Sequence, residues 1–279
     1  MRQGHVSYLL AGAFHRMAFV EWGPADGAPV LCVHGLTRSG RDFDVLAQAL
    51  AGQGRRVICP DLPGRGASDW LPDPMLYQPP SYVVALSHLL ARLDGPVDWV
   101  GTSLGAICGM RIAAAKGHPI RRMVMNDLGP FVPQAAMARI RDYMATTPRF
   151  PDLAALEAHL RRVHAPFGAL TDAQWRHLAE TSARPAEDGG VLLHYDPAIA
   201  TPILAQEAQA LDMHFLWNAL DLPILAIRGA ESDLLLAETA EAMAAKHGVR
   251  LAVIPGAGHA PALMDAAQVA LVAGFLAEG

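Results

Sequence analysis

The segment Gly101-Thr102-Ser103-Leu104-Gly105 constrains this chain more than any other. It carries the pattern G-x-S-x-G between the run Pro96-Val97-Asp98-Trp99-Val100 and a small-residue run from Ala106 to Ala115. The first run predicts a strand and the second a helix. A strand that turns directly into a helix holds the residue at the turn on a strained elbow, its side chain projecting from the end of a sheet. The flanking glycines suit unusual backbone angles and a close helix–strand approach. Ser103 in that setting is a candidate nucleophile. In any other setting it is an exposed serine in a glycine-bordered turn.

The rest of the chain supplies the sheet. Short apolar runs at Val30–Val33, Arg56–Cys59, Val97–Val100, Met123–Met125, Pro223–Ile227 and Leu251–Ile254 read as buried strands, and the region before them as the first strands. Helical patterns lie between them, over Asp44–Ala51 and Ser81–Leu93. Continuously apolar strands separated by helices predict a mostly parallel sheet covered on both faces. The stretch 131–218 breaks this rhythm. It shows helical patterns with no clear strand between them, including Leu153, Leu156, Leu160 and Val163 behind a candidate N-cap at Asp152, and a helix start at Thr171. An insertion placed there predicts a helical cap over the carboxyl ends of the strands, where open α/β sheets bind ligands. The alternative is a helical layer that only stabilises the fold. The expected division is a core of 1–130 and 219–279 with a cap of 131–218.

Composition narrows the function classes. The 279 residues are 52% hydrophobic with a formal charge of -5, which gives no basic surface for nucleic acid. No apolar run reaches the length of a membrane span. The apolar segment Tyr8–Phe14 is interrupted by His15 and Arg16, and no convincing cleavage site follows it. Cys32, Cys59 and Cys108 all sit in apolar stretches; an odd number of such thiols predicts a reducing, cytoplasmic setting without a disulfide framework. No Cys/His/Asp cluster has metal-ligand spacing, and the expected partner is a small-molecule substrate.

A serine hydroxyl needs a base, and the base needs an orienting group. The base candidate is His259, on the glycine-rich loop after the last strand. The first choice of acid is Asp233, after the strand Ile224–Ile227, which gives the chain order Ser103, Asp233, His259. Asp127, at the end of the preceding strand, and Glu231 are the alternatives, in that order. Backbone N–H groups of Leu36 and Leu104 are the expected oxyanion donors, and His34 is expected to serve as scaffold. Arg161, Arg162 and His164 offer a carboxylate-binding group; the alternative is a solvated helix face.

His34-Gly35-Leu36-Thr37, Asp61-Leu62-Pro63-Gly64-Arg65-Gly66-Ala67-Ser68, Gly101–Gly105, Gly229–Asp233 and Gly258-His259 together resemble the α/β-hydrolase-fold family, in its esterase and C–C hydrolase group. The resemblance implies a mostly parallel, doubly wound α/β sheet of that type with an inserted helical cap, a Ser103–His259–Asp233 triad and no cofactor. It also implies that Asp61–Ser68 borders the site entrance. Relatives with aspartate as nucleophile are dehalogenases or epoxide hydrolases, and Ser103 argues against both reactions. The Gly229–Asp233 spacing is one residue longer than the commonest family form, which keeps Glu231 and Asp127 in contention. The expected activity is two-step cleavage of a small carboxylic ester. Cleavage of a C–C or amide bond in a carboxylate-bearing metabolite, or ligand binding with little turnover, are the alternatives on the same fold.

Overall fold

The computed structural model describes residues 1–187 and 189–278. The chain opens with a long hairpin, β1 (Arg2–Leu10) and β2 (Ala13–Trp22), then enters β3 (Pro29–Val33), α1 (Asp44–Gly52) and β4 (Arg56–Pro60). It continues through α2 (Pro79–Leu90), β5 (Val97–Thr102), α3 (Leu104–Ala113) and β6 (Ile120–Asn126). Among the described residues these strands and two later ones, β7 (Ile224–Gly229) and β8 (Val249–Ile254), form one sheet of eight, in the order β1-β2-β4-β3-β5-β6-β7-β8. β1 and β2 are antiparallel to their neighbours, and β3 to β8 run parallel.

Side-chain alternation explains why the parallel strands read as unbroken apolar runs. Successive residues point to opposite faces, and both faces are covered. Leu31, Ile58, Trp99 and Met123 belong to one core cluster with Leu86 and Cys108 of α2 and α3. Cys32, Val57, Val100 and Val124 belong to the other, with Leu46 of α1. The three cysteines are free and buried. Asp98 is a charged residue inside this pattern, and it is fully buried. Arg55 pairs with it directly, and Arg121 donates to both of its oxygens at 2.9 and 2.8 Å. A buried carboxylate is tolerable only when matched in this way.

Between β6 and its neighbour in the sheet, the chain runs through α4 (Gln134–Met144), α5 (Leu153–Val163), α6 (Asp172–Ser182), α7 (Thr201–Leu204) and α8 (His214–Ala219). Asp152 caps α5 by accepting from Ala155 N–H at 2.8 Å, and Thr171 and Gln174 form a reciprocal capping box at α6. The expectation of a stretch without strands is corrected. Phe131–Val132 pairs with Leu211–Asp212, and Val191–Leu193 pairs with Arg149–Phe150 and Ala183–Pro185. Strands of two or three residues are too short to leave a period-two signal. The chain then returns to the sheet in β7 (Ile224–Gly229), followed by α9 (Ala237–Ala244), β8 (Val249–Ile254) and α10 (Ala266–Ala277). Among the described residues no helix is long and apolar enough to cross a membrane.

Candidate active site

Ser103 occupies the turn between β5 and α3 with φ 50° and ψ -111°. A non-glycine residue at such angles is strained, and the surroundings must hold it there. They do so tightly. Ser103 N–H donates to Asn126 O at 3.0 Å on β6, and the Ser103 carbonyl accepts from Ala106 and Ile107 as α3 begins. Trp99 Nε1 donates to Gly105 O at 3.1 Å. A Cβ on Gly105 would overlap the Val33 carbonyl, so this approach of α3 to β3 requires glycine.

His259 lies on the loop after β8, as the sequence predicts. Its Nε2 is 3.1 Å from Ser103 Oγ. Its Nδ1 is 2.7 Å from Oδ2 of Asp127, which directly follows β6. Asp127 is fully buried. Its Oδ1 accepts from Gly229 N–H at 2.9 Å and its Oδ2 from the Ser232 hydroxyl at 2.6 Å. The expected pairing of His259 with Asp233 is therefore corrected: the carboxylate in contact is Asp127. Asp233 turns outward and forms a two-pronged pair with Arg139 of α4, at 2.6 and 2.8 Å, with both side chains about half exposed (52% and 49%). Glu231 makes no hydrogen bond to His259 either; its backbone N–H donates to Ala257 O at 2.9 Å and helps fold the His259 loop.

The backbone N–H groups of Leu36 and Leu104 flank Ser103 on the two expected segments, and among the described residues neither has an acceptor. The carbonyl side of Leu36 is held by Arg65, whose Nε donates to Leu36 O at 2.9 Å. Arg65 is itself fully buried and also donates to Pro63 O and to the Tyr82 hydroxyl. Sequence reasoning treated Asp61–Ser68 only as a bordering turn and missed this buttress. A lone arginine between two glycines gave no distinguishing signal. His34 is scaffold, as expected. Its Nε2 accepts from Leu62 N–H at 2.9 Å, so Nδ1 carries the proton and donates to Gly35 O at 2.7 Å. Burial pushes His34 down to about 3, with Arg65 and Arg38 adding to the effect, and the ring stays neutral.

Of the three candidate binding residues in the insertion, the structure brings one to Ser103. His164 lines a cavity of about 310 Å³ with Ser103 and His259. Burial, reinforced by Arg38, His159 and His259, holds His164 well below the usual histidine value. Arg161 is instead paired with Glu157 and Asp172, each at 2.8 Å, and among the described residues Arg162 reaches only His159. Those two form the solvated-face alternative. Arg38, which the sequence reading did not single out, also lines this cavity, paired with Asp42 at 2.7 and 2.8 Å. A second cavity of about 440 Å³ also reaches Ser103, and Leu36, Ser103 and Ile140 belong to both.

A family model described as the alpha/beta hydrolase family matches residues 30–272. The chain belongs to the alpha/beta hydrolase family. This alpha/beta hydrolase is similar over nearly its whole length to a protein of Cupriavidus necator named 3-hydroxybutyrate-oligomer hydrolase. The identity is 42% over 286 residues, covering 98% of this chain and 97% of that protein. Among solved structures it resembles a putative hydrolase from Rickettsia typhi, with a TM-score of 0.92, 30% identity and 99% of each chain covered. It also resembles an alpha/beta hydrolase from Novosphingobium aromaticivorans, with a TM-score of 0.87, 35% identity and 98% of each chain covered.

Proposed function

We propose that this alpha/beta hydrolase cleaves carboxylic esters by two-step acyl transfer, and that short oligoesters of hydroxy acids are among its substrates. The observation that carries the chemistry is the unbroken line Ser103 Oγ to His259 Nε2 and His259 Nδ1 to Asp127 Oδ2. Ser103 attacks the ester carbonyl while His259 takes its proton. Asp127 fixes the tautomer and balances the imidazolium charge. The free N–H groups of Leu36 and Leu104 receive the oxyanion, a contact typically worth about 2.7–4 kcal/mol per donor in the transition state. His259 then protonates the departing alcohol, and water activated by the same ring releases the acid. The role expected of Asp233 passes to Asp127.

The insertion 131–218 acts as the cap in this reading. Tyr143, Val163 and Phe167 come from it and wall the smaller cavity. The substrate reading has two supports. The Cupriavidus necator relative is named for an oligomer of 3-hydroxybutyrate. An internal ester of such an oligomer also carries an organic group on each side of the scissile bond, and Ser103 borders two cavities. The test is hydrolysis of 3-hydroxybutyrate dimer and trimer and of p-nitrophenyl butyrate by the wild type and by Ser103→Ala, with released acid and nitrophenol measured. Ser103→Ala retaining most of the activity overturns the mechanism. Turnover of p-nitrophenyl butyrate without release of acid from the oligomers overturns the substrate.

A further inference from the structure

The two cavities at Ser103 are not equivalent. His259 lines only the smaller, and Leu104 lines only the larger. The proton that His259 returns has to reach the leaving oxygen. The alcohol half of an ester therefore occupies the smaller cavity, and the acyl half extends into the larger one.

The larger cavity follows one face of α3. Leu104, Ile107 and Arg111 all line it, at the spacing of one helical stripe. Arg111 stands two turns beyond Leu104, about 10 Å along the axis, and helical side chains lean back toward the N-terminus, here the Ser103 end. Among the described residues the Arg111 guanidinium has no hydrogen-bond or ion-pair partner, and its Nε is sealed from solvent without an acceptor. Two other strong donors of this cavity are engaged: Arg141 donates to the carbonyls of Gln206 and Leu204, and Tyr77 OH donates to Asp196. Glu207 shares the rim, is exposed, and makes no ion pair with Arg111. Leu128, Val132, Met137 and Ile140 make the intervening wall apolar. A buried guanidinium N–H left without an acceptor carries a free-energy cost that a ligand oxygen removes.

We infer that Arg111 is an anion anchor at the far end of the acyl cavity, and that the enzyme takes acyl groups ending in a carboxylate: half-esters of dicarboxylic acids several carbons long. The inference rests on the ester-hydrolase reading and goes beyond the oligoester one. A 3-hydroxybutyrate oligomer carries its carboxylate on the alcohol half and only a hydroxyl at the end of the acyl half. In the reaction the acyl C–O bond breaks, water gives its hydroxyl to the acyl carbon and a proton to the alcohol, and a free dicarboxylate results. The methylene chain lies along the apolar wall, and the terminal carboxylate takes the fork of N–H groups that Arg111 offers.

The test compares monomethyl half-esters of glutarate, adipate and suberate with the dimethyl diesters of the same acids, on the wild type, Arg111→Gln and Arg111→Lys. Within each pair the distal end is a carboxylate in one and a neutral methyl ester in the other. The expected wild-type result is a preference for the half-ester of at least one length by about tenfold to a hundredfold in kcat/KM, carried by KM. That ratio collapses in Arg111→Gln and partly returns in Arg111→Lys. A ratio that is the same in the wild type and Arg111→Gln at every length overturns the inference. Binding of free suberate to Ser103→Ala and to Ser103→Ala/Arg111→Gln, followed by calorimetry, reads the site without turnover. Binding that needs Arg111 in a protein inert toward p-nitrophenyl butyrate would sink the ester-hydrolase reading and leave the anion site standing. Active enzyme that binds suberate equally with and without Arg111 would do the reverse.

Discussion

Replacing Asp127 with Asn separates it from Asp233, the acid that the sequence ranked first of three. Both oxygens of Asp127 accept hydrogen bonds: Oδ1 from Gly229 N–H, and Oδ2 from the Ser232 hydroxyl with His259 Nδ1 at 2.7 Å. An asparagine has one acceptor oxygen and one NH₂. With the NH₂ at the Oδ2 position, a donor confronts His259, and the ring answers by moving its proton to Nε2. In that tautomer it cannot take the proton of Ser103. With the NH₂ at the Oδ1 position, it confronts Gly229 N–H in a fully buried site, at a cost of about 1–3 kcal/mol. Neither orientation restores the negative charge that balances the imidazolium. The expected loss in kcat is about 10³- to 10⁴-fold, the scale at which an orienting carboxylate acts in a serine triad. Asp233→Asn removes only a half-exposed pair with Arg139, worth at most about 1 kcal/mol, and activity should stay within about threefold of wild type. The assay is kcat/KM on p-nitrophenyl butyrate for both variants, with thermal melting to confirm that each is folded. An Asp233→Asn enzyme as impaired as Asp127→Asn, or an Asp127→Asn enzyme with more than about a tenth of wild-type activity, refutes the reasoning.

Two further outcomes follow from the scaffold. In Gly105→Ala the new methyl overlaps the Val33 carbonyl, which is backbone and cannot rotate away, so α3 has to lift from β3. The expected cost is about 1–3 kcal/mol, a fall of several degrees in Tm, and melting within one degree of wild type would contradict it. His34 is neutral in the folded protein, held at about 3, whereas the unfolded chain protonates it near its ordinary value of 6.5. Between those two values the unfolded state binds the extra proton, so stability falls as pH falls through that window, by up to about 1.4 kcal/mol per pH unit. Urea unfolding at pH 6.5 and 4.5 should show a steeper loss in wild type than in His34→Gln. Equal slopes would show that His34 does not contribute.

How much of this was legible in the sequence depended on how local the signal was. The parallel strands were readable because burial on both faces makes each one a continuous apolar run, and Asp98 did not spoil β5 because arginines from outside that strand neutralise it. The elbow was readable because its glycines, serine and flanking elements are contiguous. Arg65 and Arg111 carried no such signal. What distinguishes them is where the side chains lie in the fold, Arg65 on the Leu36 carbonyl and Arg111 on the wall of the larger cavity at Ser103.

The choice of acid shows why chain order is a weaker guide than register. β6 and β7 are neighbours in the sheet, and a carboxylate at the end of either lies on the side of the sheet where Ser103 and His259 emerge. Pairing of Thr102 with Asn126 sets Asp127 level with Ser103 in the adjacent strand. The positive φ of 55° at Asp127, which aspartate tolerates better than most residues, ends the strand there. Asp127 therefore needs no intervening loop to reach His259. Asp233 lies past the end of β7, on a turn whose Ser232 hydroxyl bonds to Asp127 and to the N–H groups of Leu234 and Leu235. Once Ser232 is tied in this way, the next side chain faces outward to Arg139. The turn after Gly229 thus places a hydroxyl, Ser232, rather than the Asp233 carboxylate, beside the buried acid of the neighbouring strand.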